Sequence, residues 1–496
     1  MDAQELMTLL KKFLDGRSKA GAYDLHPRSE LGVDLGLDSL DKVDLLLFVE
    51  KELKISIDPD RSSEIETVED LLGLVNDGLG SGSGVSVRGL GITDLERHLI
   101  REVPQFLNEV EQQQGRALTI EGKTVYDFAS ANYLGLDLDR RIFSQIQTDL
   151  ERWGTHPSWT RAIASPLPYN QLERTLAEMV CAPGVLVFPT VTLIHMGILP
   201  LLAGQGTLFL MDERAHKSIQ EGAALGRAKG ASTKFFKHND LADLREELES
   251  ARNFDAVYVC VDGVFSMTGD EAKVVDMVAI CRDYPNATLY VDDAHGFGIL
   301  GSSPDELNPY GSGGGGLLRK HGVDVNRDKV IYVAALSKSF SSLAAFVTCR
   351  DLYEREHFST ASTFVNSGPC PTASLSSAQT GLGISLSSEG DDIRRGIYDL
   401  TKRFVDGVRD VGLVVENEGY FPLVSVEIGS IAAVTDAAKI LWDKGILITP
   451  AVYPNAPIKR SMLRFTITAA NTADEIDAAI EALEVVRDQI PSAPYN

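Results

Sequence analysis

Cysteine is scarce: the 496 residues hold five, Cys181, Cys260, Cys281, Cys349 and Cys370, scattered through apolar surroundings and never as a C-x-x-C pair. That spacing excludes a disulfide framework, offers no zinc pattern and fits a reducing, cytoplasmic compartment. Basic residues are also short, 47 Lys and Arg against 71 Asp and Glu, for a formal charge of −24. Such a charge repels polyanions at long range, so nucleic acid and anionic membrane are not expected partners, and solubility is its plainest use. Long apolar runs are missing: no stretch reaches the ~18 residues that a membrane span needs. The first residues carry Asp2 and Glu5 and no basic flank before an apolar run, which argues against a signal peptide. No internal repeat is found. What remains, 44% hydrophobic and 24% charged, is the composition of a folded globular chain long enough for several domains.

The clearest division is Gly78-Leu79-Gly80-Ser81-Gly82-Ser83-Gly84, a Gly/Ser stretch without apolar periodicity that reads as a linker. Before it, apolar residues recur at helical spacing from Ala3 to Leu14 and from Leu40 to Leu53, and Thr67 is placed to cap a third helix over Val68 to Val75. This predicts a small all-helical bundle. After it, short β-rich apolar runs, Ala256 to Val261, Thr288 to Val291 and Val330 to Val333, alternate with helical stretches such as Lys273 to Cys281. That alternation predicts an α/β domain with a mostly parallel sheet covered on both faces, whose ligands bind at the carboxyl ends of the strands. From Ser374 on, helices over Ser374 to Ile384 and Ile393 to Val411 precede strands near Phe421 to Ile428 and Met462 to Thr468. They predict a smaller α+β C-terminal domain closing the site.

In the string LGVDLGLDSLDKVDLLLFVEKELKISI, Ser39 stands at the start of a helix, where a serine alone would be a cap. The string resembles acyl carrier proteins over Met1 to Leu79, which implies a 4'-phosphopantetheine arm on Ser39, installed by a phosphopantetheinyl transferase. Asp38, Asp41, Asp44 and Glu50 would offer an acidic face that basic partners can read.

Three further pieces carry chemistry. YVDDAHG places Asp292 at a strand end, ALSKS offers Lys338 among small residues after a strand, and DERAHKSI holds His216. A lysine amine and a carboxylate are what pyridoxal phosphate requires, one for a Schiff base and one to keep the ring nitrogen protonated. In the order DERAHKSI, VDGVFSMTGD, VDDAHGFG, ALSKSFSS, LRFTITAANT, the chain from Tyr126 to Val486 resembles the α-oxoamine synthases, fold-type I pyridoxal-phosphate enzymes that are typically homodimers. The resemblance implies an acyltransferase that condenses an amino acid with an acyl thioester and releases carbon dioxide, here in a biosynthetic, natural-product setting. Lys338 is implied as the Schiff-base lysine and α-proton base, Asp292 as the partner of the ring nitrogen, and His216 as the group stacked on the ring. His295 and Ser266 would lie at the ring hydroxyl, Arg464 would clamp the substrate carboxylate, with Arg161 as its alternative, and Asn132 would line the substrate pocket. No metal is implied. The division that follows is a carrier domain over 1–79, a linker and arm over 80–130, a cofactor-binding large domain over 131–373 and a small domain over 374–496.

The sequence also departs from that family. Ala335 stands where a phosphate-binding threonine is usual, Ser341, Ala344 and Ala345 replace glycines after the lysine, and Tyr169 lies near the place of a histidine. Phe188-Pro189-Thr190-Val191-Thr192-Leu193 replaces the usual aromatic-Ala-Asn stretch, and Thr190 and Thr192 are candidates to supply the missing phosphate donor. The amino acid and the acyl chain therefore do not transfer from the resemblance. Another fold-type I reaction, transamination or aldol cleavage, and a non-catalytic carrier-fused scaffold are the rival readings.

Overall fold

The computed structural model describes residues 3–15, 25–31, 35, 37, 45–46, 48–49, 52–53, 65, 67–80, 102–417, 419–451 and 461–490. Near the N-terminus, helices Ala3–Asp15 and Val68–Gly80 share an apolar cluster: Leu6, Leu10 and Leu14 meet Val68, Leu71 and Val75, together with Leu31, Leu45 and Val49. Thr67 caps the second helix, its Oγ1 accepting the Asp70 amide at 3.2 Å while the Asp70 carboxylate takes the Thr67 amide at 2.8 Å. That helix runs past Val75 and takes in Gly78 to Gly80, where composition places the linker. Helical backbone bonds carry through a few glycines at about 1 kcal/mol each relative to alanine. Ser39 lies outside the described residues, as do residues 81–84.

The centre of the chain is a seven-stranded sheet, whose strands we label in chain order. They are β1 (Gly184–Phe188), β2 (Thr207–Asp212), β3 (Ser232–Phe236), β4 (Ala256–Asp262), β5 (Ala287–Asp292), β6 (Val330–Ala335) and β7 (Ala345–Cys349). The spatial order is β1-β7-β6-β5-β4-β2-β3, and β7 alone runs against its neighbours. Successive strand residues point to opposite faces. Leu208, Leu210, Val257, Val259, Leu289, Val291 and Tyr332 accordingly enter one apolar cluster, and Phe209, Met211, Cys260, Tyr290, Ile331 and Val333 enter the other. Burial on both faces is why these strands read as unbroken apolar runs.

A four-stranded antiparallel sheet follows, in the order Val414–Val415, Leu423–Gly429, Ser461–Thr466, Thr449–Ala451. Helices Ser388–Val411, Ile431–Asp443 and Ala473–Gln489 contribute with it to one apolar cluster. The last helix begins with a full capping box, Thr472 with Glu475. A three-stranded antiparallel meander over 112–127 joins this half of the molecule, with Tyr126 and Asp127 pairing parallel to Ile446 and Leu447. No helix among the described residues is long and apolar enough to cross a membrane.

Candidate active site

The carboxyl ends of the parallel strands deliver the polar residues. Asp212 closes β2, Asp262 closes β4, Asp292 closes β5, and Lys338 follows β6 by three residues. Asp262 and Asp292 are in register on adjacent strands, both buried. Burial alone would raise the pKa of Asp292, but the hydrogen bond from His195, with the nearby His216 and Lys338, outweighs it, leaving the carboxyl below the ordinary aspartate value. Asp262 goes the other way, pushed well up by burial and by the charge of Asp292. Its Oδ1 accepts the His216 amide at 2.8 Å, which fixes the start of helix Lys217–Arg227 beside the site. His216 itself caps that helix, its Nδ1 accepting the Ser218 amide at 3.3 Å. Burial pushes the Lys338 amine down to about 8, and the attraction of Asp292 and Asp262 offsets only part of that. Among the described residues Lys338 forms no ion pair and no side-chain hydrogen bond.

Asp293, next in the chain, serves the scaffold: its Oδ2 accepts the Tyr332 hydroxyl and the Leu317 amide, each at 2.6 Å. His295 is buried, with Nδ1 at 2.8 Å from the Tyr133 hydroxyl. Burial and the positive charges of Lys338 and Arg464 hold the ring well below the ordinary histidine value, so it is neutral near pH 7. Arg464 sits on strand Ser461–Thr466 and reaches the Ser266 carbonyl with Nη1 at 3.2 Å and Thr449 Oγ1 with Nη2 at 3.4 Å. Its Nε is buried without a partner, and it pairs with no carboxylate among the described residues. Asn132 accepts the Ser341 hydroxyl at 2.6 Å, and Ser341 holds the left-handed conformation, φ 51°, that the glycine usual at this place would adopt without strain.

Thr190 and Thr192 stand at the start of helix Val191–Leu202, the former as its N-cap with Oγ1 accepting the Leu193 amide at 3.2 Å. The Val191 and Thr192 amides have no acceptor within the helix, so they form a seat for an anion. Arg161 is committed elsewhere: its guanidinium pairs with Glu173 at 2.8 Å, bonds the Val187 carbonyl at 3.0 Å and lies 4.0 Å over the Tyr169 ring. Two participants escape the sequence reading. His195, fully buried on helix Val191–Leu202, touches Asp292, and Tyr133 touches His295. The only signal for His195 is a lone imidazole in the apolar run LIHMGIL, which alone is no more than a core histidine.

Fold and site together define an α/β architecture in which a buried amine and buried carboxylates gather at the carboxyl edge of an open, mostly parallel sheet, where ligands of such folds bind. No family model matches the chain. The chain is 30% identical over 382 residues to the 8-amino-7-oxononanoate synthase of Thermosipho melanesiensis, covering 77% of this chain and 93% of that protein. It is 29% identical over 383 residues to the serine palmitoyltransferase of Sphingobacterium spiritivorum, covering 76% and 90%. Its fold matches a solved serine palmitoyltransferase from S. paucimobilis, in which PLP and myriocin are bound, with a TM-score of 0.72 at 22% identity, over 80% of this chain and 97% of that one. The chain belongs to the α-oxoamine synthases, a family of fold-type I pyridoxal-phosphate enzymes.

The residues present fit that cofactor. A buried amine without a partner, a buried carboxylate at the next strand end, an anion seat at a helix start and a guanidinium without a carboxylate partner are the groups that its aldehyde, protonated ring nitrogen, phosphate and an amino-acid carboxylate require. Among the described residues no cluster of His, Cys, Asp and Glu could hold a metal ion.

Proposed function

We propose that this protein condenses an amino acid with an acyl thioester, with loss of carbon dioxide, to give an α-oxoamine, and that the thioester is borne by a phosphopantetheine arm on Ser39 of the same chain. The observation that carries the reading is Arg464, a cation with no carboxylate partner among the described residues and a buried, unpartnered Nε, in a site that also holds Lys338 and Asp292. Such an arrangement suits a substrate that brings its own carboxylate, and a planar guanidinium binds one at two points. The relatives named as synthases and acyltransferases support the reaction class.

Bound pyridoxal phosphate would supply an aldehyde that captures amines and a protonated ring that withdraws electrons from the substrate α-carbon. Lys338 would hold it and, once freed by substrate, take the α-proton on Nζ, a role suited to an amine whose pKa burial has brought down to about 8. Asp292 would keep the proton on the ring nitrogen. His216 would cover the ring face, and neutral His295, backed by Tyr133, would meet the ring hydroxyl together with Ser266. Thr192 and the amides that follow Thr190 would take the phosphate in place of the threonine replaced by Ala335. Asn132, held by Ser341, would line the substrate pocket.

A panel of carboxyl-labelled amino acids tests the reaction. Labelled carbon dioxide should appear only when the right amino acid and an acyl thioester are both present; release without thioester, or amino-group transfer, would refute condensation. Ser39→Ala should leave cofactor binding unchanged and abolish turnover of acyl groups loaded on the chain by a phosphopantetheinyl transferase. Normal turnover of chain-borne acyl groups in that variant would remove the carrier from the account.

A further inference from the structure

His195 and Tyr290 have no place in the chemistry above, yet they make the most fully connected polar contact in the site. His195 Nε2 lies 2.9 Å from Asp292 Oδ2 and His195 Nδ1 lies 2.8 Å from the Tyr290 hydroxyl. Both side chains are fully buried, Tyr290 on β5 two residues before Asp292 and His195 on helix Val191–Leu202, which packs over that face of the sheet.

The donors and acceptors can be assigned without reference to a cofactor. Asp292, as a carboxylate, only accepts: Oδ1 takes the Ala294 amide at 3.0 Å and Oδ2 takes His195, so the Nε2 proton points at Asp292. Nδ1 is the one polar partner of the Tyr290 hydroxyl among the described residues, and a buried O–H without an acceptor costs about 1–3 kcal/mol. The tyrosine therefore donates, which requires Nδ1 to carry no proton. The ring is thereby held neutral, in one tautomer, by a buried phenol that belongs to an apolar cluster and has Cys260 and Ile331 as its strand neighbours.

A protonated His195 would cancel the charge of Asp292. A neutral one orients the carboxylate and leaves its full negative charge in place. We infer that Tyr290, acting through His195, reserves the charge of Asp292 for the cofactor's ring nitrogen, so that both are positioning residues that set how strongly that nitrogen holds its proton. The inference rests on the cofactor reading above and deepens it.

The test loads the apoprotein with pyridoxal phosphate carrying ¹⁵N in the ring, whose shift separates the protonated from the bare nitrogen. It also compares binding of pyridoxal phosphate with its 1-deaza analogue, which lacks that nitrogen. Wild type should show the protonated form. His195→Phe should move the shift towards the bare form and reduce the preference for pyridoxal phosphate over the analogue about ten-fold, the worth of one hydrogen bond to a charge. His195→Gln, whose amide can still donate to Asp292, should recover most of both. Tyr290→Phe should fall between, and it carries the test if His195→Phe does not fold. A ring shift and a preference equal to wild type in the variants that fold would overturn the inference while leaving the cofactor reading intact. Failure of wild type to bind pyridoxal phosphate at all would overturn both.

Discussion

The two ends of the site differ in how completely their polar groups are paired. At the β5 end, both Asp292 oxygens and both His195 nitrogens have partners, and Asp293 accepts three hydrogen bonds. At the Arg464 end, a guanidinium without a carboxylate partner acts electrostatically on a lysine whose side chain makes no hydrogen bond among the described residues. Buried polar groups are normally satisfied, so groups left short mark where a ligand completes the structure. The paired end should therefore answer mutation in folding stability, and the unpaired end in ligand binding.

The largest effect belongs to the unpaired end. Losing a two-point charge-assisted contact in a partly buried site costs about 2–5 kcal/mol, so Arg464→Ala should weaken amino-acid binding roughly thirty-fold to several thousand-fold. Arg464→Lys should recover only part, because a point charge lacks the planar fork. Titrating amino acid against the cofactor's absorbance measures this, and thermal melting of the apoprotein should show no loss. A destabilised Arg464→Ala apoprotein that binds its amino acid normally would erase the contrast.

The paired end comes next. Asp292→Ala orphans the His195 Nε2–H and the Ala294 amide, and the apoprotein should lose about 2–4 kcal/mol in denaturant melts. An unchanged midpoint would show that the pairing contributes nothing to the fold.

A smaller effect tests the same rule beside the site, at His238, whose Nδ1 is 3.0 Å from Asp212 and Nε2 2.9 Å from Asp270. Desolvation would lower its pKa, but those two carboxylates outweigh it and raise it from 6.5 to about 9. A folded-state pKa above the unfolded one gives stability that is complete below pH 6.5 and lost as pH rises through about 9. Its size is on the order of 2 kcal/mol, and His238→Gln should flatten stability across that window. An identical pH profile in the variant would contradict the pairing.

The large sheet was legible because its strands are apolar on both sides, and apolar runs such as AVYVCV and VIYV coincide with β4 and β6. The placing of Asp292 at a strand end and of Lys338 just beyond one was legible from the same runs, and strand ends in an α/β chain are where ligands sit. His195 was not, because its meaning comes from Asp292, 97 positions along the chain, and no local pattern encodes that distance. Tyr133 was hidden likewise, 162 positions from His295. Arg161 shows the converse: named only as the alternative to Arg464 for the substrate carboxylate, it is placed by tertiary packing against Glu173. The helix boundary at Gly80 differs from the composition because glycine content marks a tendency to unwind, which the preceding turns overrode.

The most direct test of the account is covalent. Pyridoxal phosphate is added to the apoprotein, reduced with borohydride and located by peptide mass. The account predicts one modified residue, Lys338, and no modification or turnover in Lys338→Ala. Label on another lysine, or reducible cofactor retained by Lys338→Ala, would contradict it.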